Sequence, residues 1–327
     1  MALNTITKNT AKTTKKESIP VFFAVDDCYA PYLCVALRSL IDNSSRRYHY
    51  HINVLIDTLS DENKALLGAM ATENVSIDFI DVTEKLKKIC EKLHMRDYYT
   101  KATYYRFFIP EMFPQYDRGV YLDCDIILTA DVASLYHCAL GKHLIAAVND
   151  EIIADIEVFA QYSEQVLGIS RHDYVNAGIL VMNLAEMRRV QIEKQFAEML
   201  SQRVYRVAQD QDYLNKLCHG KILHLPLKWN KTPMPDSDRS RIPKIAHYKI
   251  NFKPWKYDNV PFGELFWQYA EKTPLYRTLL DAKNAYTEDE KHRDSMQYAS
   301  LVGLALSEIR QESNLELEMN ALVCVEV

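Results

Sequence analysis

From Ile19 onward, short apolar runs alternate with stretches whose apolar residues recur every three or four positions, the pattern of β-α units wound around a largely parallel sheet. The run Ile19 to Val25 reads as the first strand. Pro31 suits the first turn of a helix with an inward face of Leu33, Ala36, Leu37, Leu40 and Ile41, ended by Asn43, Ser44 and Ser45. Further strands are expected at His51 to Ile56, Ser76 to Val82, Gly119 to Leu122, Leu144 to Val148 and Ile179 to Met182. One long helix is expected from Leu184 to about Tyr205, facing inward through Ile192, Phe196, Met199 and Leu200. Beyond Leu225 the chain is rich in proline (226, 233, 235, 243, 254 and 261), which marks loops that either grip a ligand or merely connect elements. From Phe262 the pattern is helical and closes on a polar stretch and an apolar Ala321 to Val327. Residues 1–18, rich in Thr and Lys, read as a disordered tail.

Composition narrows the function. At 327 residues and 48% hydrophobic the chain can bury a large core, and 39 basic against 44 acidic residues leave no cationic surplus for a nucleic-acid partner. No apolar stretch is long enough for a spanning helix, and the first residues lack an apolar signal core. Seven scattered cysteines (28, 34, 90, 124, 138, 218, 324) form no Cys-x-x-Cys pair and read as reduced thiols of a cytoplasmic protein. The eight glycines never form Gly-x-Gly, which excludes the dinucleotide fingerprint and the P-loop. A nucleoside diphosphate bound here would have to be held by a metal or by side chains.

The sharpest local feature is Val120-Tyr121-Leu122-Asp123-Cys124-Asp125-Ile126-Ile127-Leu128, where an apolar strand meets two carboxylates one residue apart. In an extended segment such side chains point the same way. They could hold Mg²⁺ or Mn²⁺ against a diphosphate, or form a solvated turn between strands. Asp26-Asp27, at the end of the first strand, belong to the edge where ligands of open α/β sheets collect. Asp26 could accept from a base imide with Tyr29 stacking on the ring, or simply cap the helix before Pro31. His247 offers a nitrogen suited to Mn²⁺, and Lys253 a point cation suited to phosphate, while a lone His and Trp255 are equally at home as core residues.

Together, Phe23-Ala24-Val25-Asp26-Asp27-x-Tyr29-Ala30, Thr103-Tyr104-Tyr105-Arg106, Tyr121-Leu122-Asp123-Cys124-Asp125, Asn176-Ala177-Gly178, Asp210-Gln211-Asp212 and His247-Tyr248 with Lys253-Pro254-Trp255 resemble glycosyltransferase family 8 over roughly residues 20 to 258. The resemblance implies a GT-A fold with a mixed, mainly parallel sheet, as a catalytic domain over 19–260 with a C-terminal helical extension over 261–327. It implies a retaining hexosyltransferase that moves galactose or glucose from a UDP-sugar to a saccharide or lipid-linked saccharide, with Mn²⁺, or Mg²⁺ in its place. By the same resemblance Asp123, Asp125 and His247 ligate the metal, Asp26 and Tyr29 meet the uracil, and Lys253 meets the diphosphate. Cys124 is counted with the donor-binding residues. Arg106, Asp150, Asn176, Asp210 and Gln211 would line the sugar pocket, with Gln211 near the reacting face and Asp212 an exposed helix charge.

Two departures stand out: Cys28 where bacterial relatives often carry Asn, and Ile250 where a Gly usually follows His-Tyr-x. The β-branched residue is expected to send that loop along another path. The rival enzyme is a haloacid-dehalogenase-type phosphatase with Asp123 as nucleophile and Asp125 as general acid, although such enzymes carry the motif on their opening strand. A carbohydrate-binding relative without activity is the non-enzymatic rival, and the 21 tyrosines weakly favour a self-glycosylating primer. The C-terminal stretch from Gln311 has no Lys or Arg, which leaves peripheral membrane contact with little electrostatic support.

Overall fold

A computed structural model describes residues 16–87, 101–235 and 240–323. Nine strands run in chain order: β1 Ser18–Ala24, β2 His49–Ile56, β3 Val75–Asp81, β4 Gly119–Leu122, β5 Ile126–Leu128, β6 Ile145–Ala147, β7 Ile179–Met182, β8 Ile222–His224 and β9 Ile245–His247. Seven form one sheet in the order β3-β2-β1-β4-β7-β6-β8, while β5 and β9 make a separate antiparallel ribbon. Within the sheet the pairs β1/β2, β2/β3, β1/β4 and β6/β8 are parallel, and only β7 runs against its neighbours.

The central strands read as apolar runs because the sheet is covered on both faces. Alternation splits β1: Ile19, Val21 and Phe23 enter one core, Phe22 and Ala24 the other. Helix α1 (Ala30–Asn43) buries the expected Leu33, Ala36, Leu37, Leu40 and Ile41, with Pro31 in its first turn. A third apolar cluster joins Ile127 of β5, Ala246 of β9, Tyr248 and Trp255 to the helix Gly263–Ala270.

The expected strands lie within one or two residues of those observed, and the expected tail is too long. Residues 1–15 lie outside the described residues, but Ser18 already pairs with His49. The single helix expected over Leu184–Tyr205 is two, α2 (Leu184–Arg189) and α3 (Ile192–Gln202), because Gln191 turns left-handed at φ 56° and interrupts the run. Ile192, Phe196 and Leu200 do face inward. The proline-rich segment contains β9. The C-terminal helical pattern ends in one long helix, Glu288–Val323; residues 324–327 lie outside the described residues. Cys28, Cys34, Cys124, Cys138 and Cys218 are free thiols, and Cys90 and Cys324 are outside the described residues. Among the described residues no helix is long and apolar enough to cross a membrane.

Candidate active site

Strand pairing brings the three candidate metal ligands together. β4 ends at Leu122, opposite Ile179 of β7, and the ladder continues through Asp123 N–H to Gly178 O at 2.8 Å, so the Asp-x-Asp turn lies beside Asn176-Ala177-Gly178. In the ribbon Ile126 faces His247, and Tyr248 N–H donates to Asp125 O at 2.9 Å. One ligand atom from each of Asp123, Asp125 and His247 lies within 4.8 Å of the others. His247 Nε2 is 3.1 Å from Asp125 Oδ1 and 3.7 Å from Asp123 Oδ2.

The ring of His247 is held by a residue the sequence reading missed. Asn230, in the proline-rich segment, accepts at Oδ1 from His247 Nδ1 at 2.9 Å, and its own amide donates to Asn176 Oδ1 at 2.8 Å. Because a carbonyl oxygen only accepts, Nδ1 carries a proton, and Nε2 is the nitrogen that faces the carboxylates. Two cations neutralise those carboxylates. Lys253 Nζ is 2.6 Å from Asp125 Oδ2, and Arg106 Nη2 is 3.2 Å from Asp123 Oδ1. Burial works to raise the Asp125 pKa, but Lys253 and His247 more than offset it and hold the group well below the carboxylate range. Two hard oxygens, one imidazole nitrogen turned toward them, and a site that already accommodates positive charge fit a divalent cation of the Mn²⁺ or Mg²⁺ type.

Beside the triad lies a connected set of amides and acids. Asn176 Nδ2 donates to Asp150 Oδ2 and Gln211 Oε1, both at 2.9 Å, and Gln211 Oε1 also accepts from Ala177 N–H at 3.0 Å. Gln211 Nε2 returns a bond to Asp150 Oδ2 at 3.2 Å. Asp150 N-caps the short helix Glu151–Asp155 through Oδ1, which accepts from Ile152 and Ile153 N–H, and Lys249 Nζ stands 3.5 Å from Oδ2. Burial alone would raise its pKa, yet Lys249, Asn176 and those amides keep it lowered. Asp210 opens helix α4 (Asp210–Cys218) with Oδ2 3.2 Å from Arg106 Nε. Burial outweighs that arginine and raises Asp210 to about 7.

The remaining candidates divide. Tyr29 lines the cleft, with Lys253 Nζ 5.8 Å from its ring. Asp26 also lines the cleft, and its Oδ1 accepts from Tyr29 N–H at 2.9 Å, so the carboxylate shapes the turn into α1 as well. Cys124 also lines the cleft, and it donates through Sγ to Ala24 O at 3.2 Å, which bonds the turn to β1. Trp255 is a core anchor stacked on Tyr32, ring centroids 4.2 Å apart.

Ile250 adopts φ 56°, the left-handed conformation that a glycine would enter freely and a β-branched residue resists. One expectation is corrected. Asp212 is wholly buried, not an exposed helix charge: it accepts from Tyr162 OH at 2.9 Å, Tyr174 OH at 2.6 Å and Ala208 N–H at 3.0 Å. Burial raises its pKa to about 6 despite those donors. A folded pKa above the ordinary 3.8 means stability that is present below pH 4 and lost as pH rises through 6. Relative to Asp212→Asn, which does not titrate, the wild type is expected to lose on the order of 3 kcal/mol between pH 4 and pH 7. Urea midpoints at several pH values test this, and parallel curves for the two proteins would refute it.

The cleft that these groups share measures about 1140 Å³ with its open mouth. Its lining carries the triad and the amide set together with the apolar Ile153, Phe159, Ile250 and Leu301. The sequence pattern of Glycosyl transferase family 8 matches residues 20–259. The chain is 25% identical over 305 residues to the lipopolysaccharide 1,2-glucosyltransferase of Escherichia coli, covering 87% of this chain and 83% of that one. A Haemophilus influenzae protein bearing a glycosyltransferase name is 28% identical over 273 residues, covering 78% and 80%. The crystal structure of galactosyltransferase LgtC, in complex with donor and acceptor sugar analogues, superposes with a TM-score of 0.66 at 25% identity, over 80% of this chain and 100% of that one. The fold is the GT-A type of such enzymes, and the chain belongs to glycosyltransferase family 8.

Proposed function

We propose that this glycosyltransferase moves a hexose, galactose or glucose, from a UDP-sugar to a hydroxyl of a saccharide or lipid-linked saccharide, with retention of configuration and dependence on Mn²⁺, for which Mg²⁺ can substitute. The observation that carries the reading is the convergence of Asp123, Asp125 and His247 beside an amide-rich pocket. Those three residues would hold the ion, which when bound supplies Lewis-acid charge to a departing diphosphate. Asp26 and Tyr29 receive the uracil in this reading, and Lys253, already at the triad, adds a second positive charge for phosphate oxygens. Arg106, Asp150, Asn176, Asp210 and Gln211 surround the sugar, whose hydroxyls need both donors and acceptors. The catalytic unit is 19–260, carrying 261–327 as a helical extension, and the compartment is the cytoplasm.

Gln211 is a poor nucleophile, and its amide is already committed to Asn176, Ala177 and Asp150. Retention therefore proceeds by front-face attack, with the acceptor's proton passing to the leaving phosphate oxygen. Trapping a glycosyl-enzyme adduct by mass spectrometry would overturn that step. The test of the whole reading is UDP release from a panel of UDP-sugars, with and without Mn²⁺, beside phosphate release from a phosphomonoester. Metal-dependent UDP release supports the transferase. Phosphate release alone supports the phosphatase rival, and glycan binding without turnover supports a carbohydrate-binding relative. Intact mass after incubation with UDP-glucose tests self-glycosylation.

Asn230 provides a narrower test. Without its carbonyl the His247 ring is free to change tautomer, so Asn230→Ala is expected to weaken Mn²⁺ affinity about 10- to 100-fold. Metal titration against UDP release measures it, and unchanged affinity would show that the ring needs no such support.

A further inference from the structure

β9 ends on His247, and the segment that follows carries Lys253, yet it is short of regular structure and includes the left-handed Ile250. A conformation that a β-branched residue resists persists only where the surroundings hold it. The holding contacts come from the C-terminal helix, here α5 (Glu288–Val323). Asn251, next to Ile250, donates through Nδ2 to the backbone oxygen of Asp294 and to Gln297 Oε1, both at 3.2 Å. The Asp294 carboxylate accepts from Lys256 Nζ at 3.1 Å and from Tyr257 OH at 3.0 Å, with Tyr286 OH at 2.8 Å completing its shell. Asp294 is 6% exposed, so this is an interior junction and not a surface ion pair. One turn or two further along, Leu301 lines the cleft itself. Beyond it Glu308 and Glu312 pair with Arg206 and Arg203, on the chain that leads into Asp210 and Gln211. The same helix thus ties two stretches of the cleft lining.

We propose that Asp294 is a positioning residue for donor binding: by fastening residues 251–257 to α5 it holds Lys253 and the loop around Ile250 in the arrangement that receives a nucleoside diphosphate. The proposal rests on the UDP-sugar reading of the cleft. No group of the reaction touches Asp294, so its effect falls on affinity and not on the bond-breaking step.

Full-length Asp294→Ala and Asn251→Ala test it, the first removing the carboxylate's hold on Lys256 and Tyr257, the second the bonds at the Ile250 end without leaving Lys256 facing an uncompensated interior. Three measurements are made on each: amide hydrogen exchange of residues 248–257 without ligand, UDP affinity in Mn²⁺ by calorimetry, and kcat at saturating UDP-sugar from UDP release. Faster exchange in that segment is expected, with UDP affinity reduced about 10-fold or more and kcat at saturating donor within about twofold of wild type. Unchanged exchange in both variants overturns the tie. Faster exchange with unchanged UDP affinity overturns the positioning role and leaves Asp294 a stabilising residue only. Asp294→Asn keeps an acceptor for the two tyrosines and is expected to fall between the wild type and Asp294→Ala; if it matches Asp294→Ala while melting like wild type, the tyrosine contacts play no part and the proposal fails in that form. A wild-type chain that binds no UDP overturns the parent reading, an outcome the exchange measurement distinguishes from failure of the tie.

Discussion

Asp125→Ala is expected to lower metal-dependent transfer by about 10³-fold or more, with far-UV circular dichroism unchanged. Asp125 meets His247 Nε2 through one oxygen and Lys253 Nζ through the other, so its removal takes away a candidate ligand and leaves the ammonium paired only with Tyr248 O. His247→Ala should fall as far by a different route, because it removes the sole imidazole among the three candidate ligands and strands Asn230. Rates of UDP release across a Mn²⁺ titration measure both. Full wild-type turnover in excess chelator would remove the basis of the expectation, and so would an Asp125→Ala protein within tenfold of wild type.

Gly178→Ala should be nearly as damaging, though it removes no functional group. A Cβ at Gly178 would stand 2.5 Å from Asp123 Oδ2 and 3.1 Å from Asn176 Oδ1, and would collide with the His247 ring. Its backbone accepts from Asp123 N–H, so it cannot retreat without opening the β4–β7 ladder. The expected outcome is loss of more than 10²-fold in activity, together with about 1–3 kcal/mol of stability for the overpacking. Activity assays and urea unfolding measure the two parts. Wild-type Mn²⁺ affinity in this variant would mean that the triad tolerates displacement, and the close fit described above would be without consequence.

What the sequence made legible follows from what its pattern encodes. β1, β2, β4 and β7 are covered on both sides and so stand out as apolar runs, and the inward face of α1 repeats at three and four residues. Four strands have only three residues, too few to show a period; of these β6 was legible because Leu144 and Val148 extend its apolar run, whereas β8 and β9 were not expected as strands. The break at Gln191 lacks the glycine or proline that usually marks one. Among site residues, Asp123 and Asp125 announced themselves by spacing and His247 by the company of Lys253 and Trp255. Asn230 could not, since a single amide in a proline-rich stretch carries no spacing signal; only pairing of Lys231 with the β9 backbone sets it beside His247. Asp212 was misread because its burial depends on Tyr162 and Tyr174, which the chain brings from far outside its own helix. Ile250 shows the limit of local preference, which argues against the left-handed conformation that this residue adopts beside the Asn251 contacts.

The ribbon of β5 and β9 has an evolutionary corollary. Its partners Ile126 and His247 are joined by a long excursion that includes β6, β7 and β8, yet their mutual placement depends on only three facing pairs. Segments of that excursion lying away from the sheet can lengthen or shorten at small entropic expense, since closure penalties grow only logarithmically with loop size. A single-residue deletion inside the ribbon, by contrast, would invert the side on which the imidazole emerges. Descendants of this chain should therefore diversify what they glycosylate through insertions outside those six residues, and tolerate almost no indels within them.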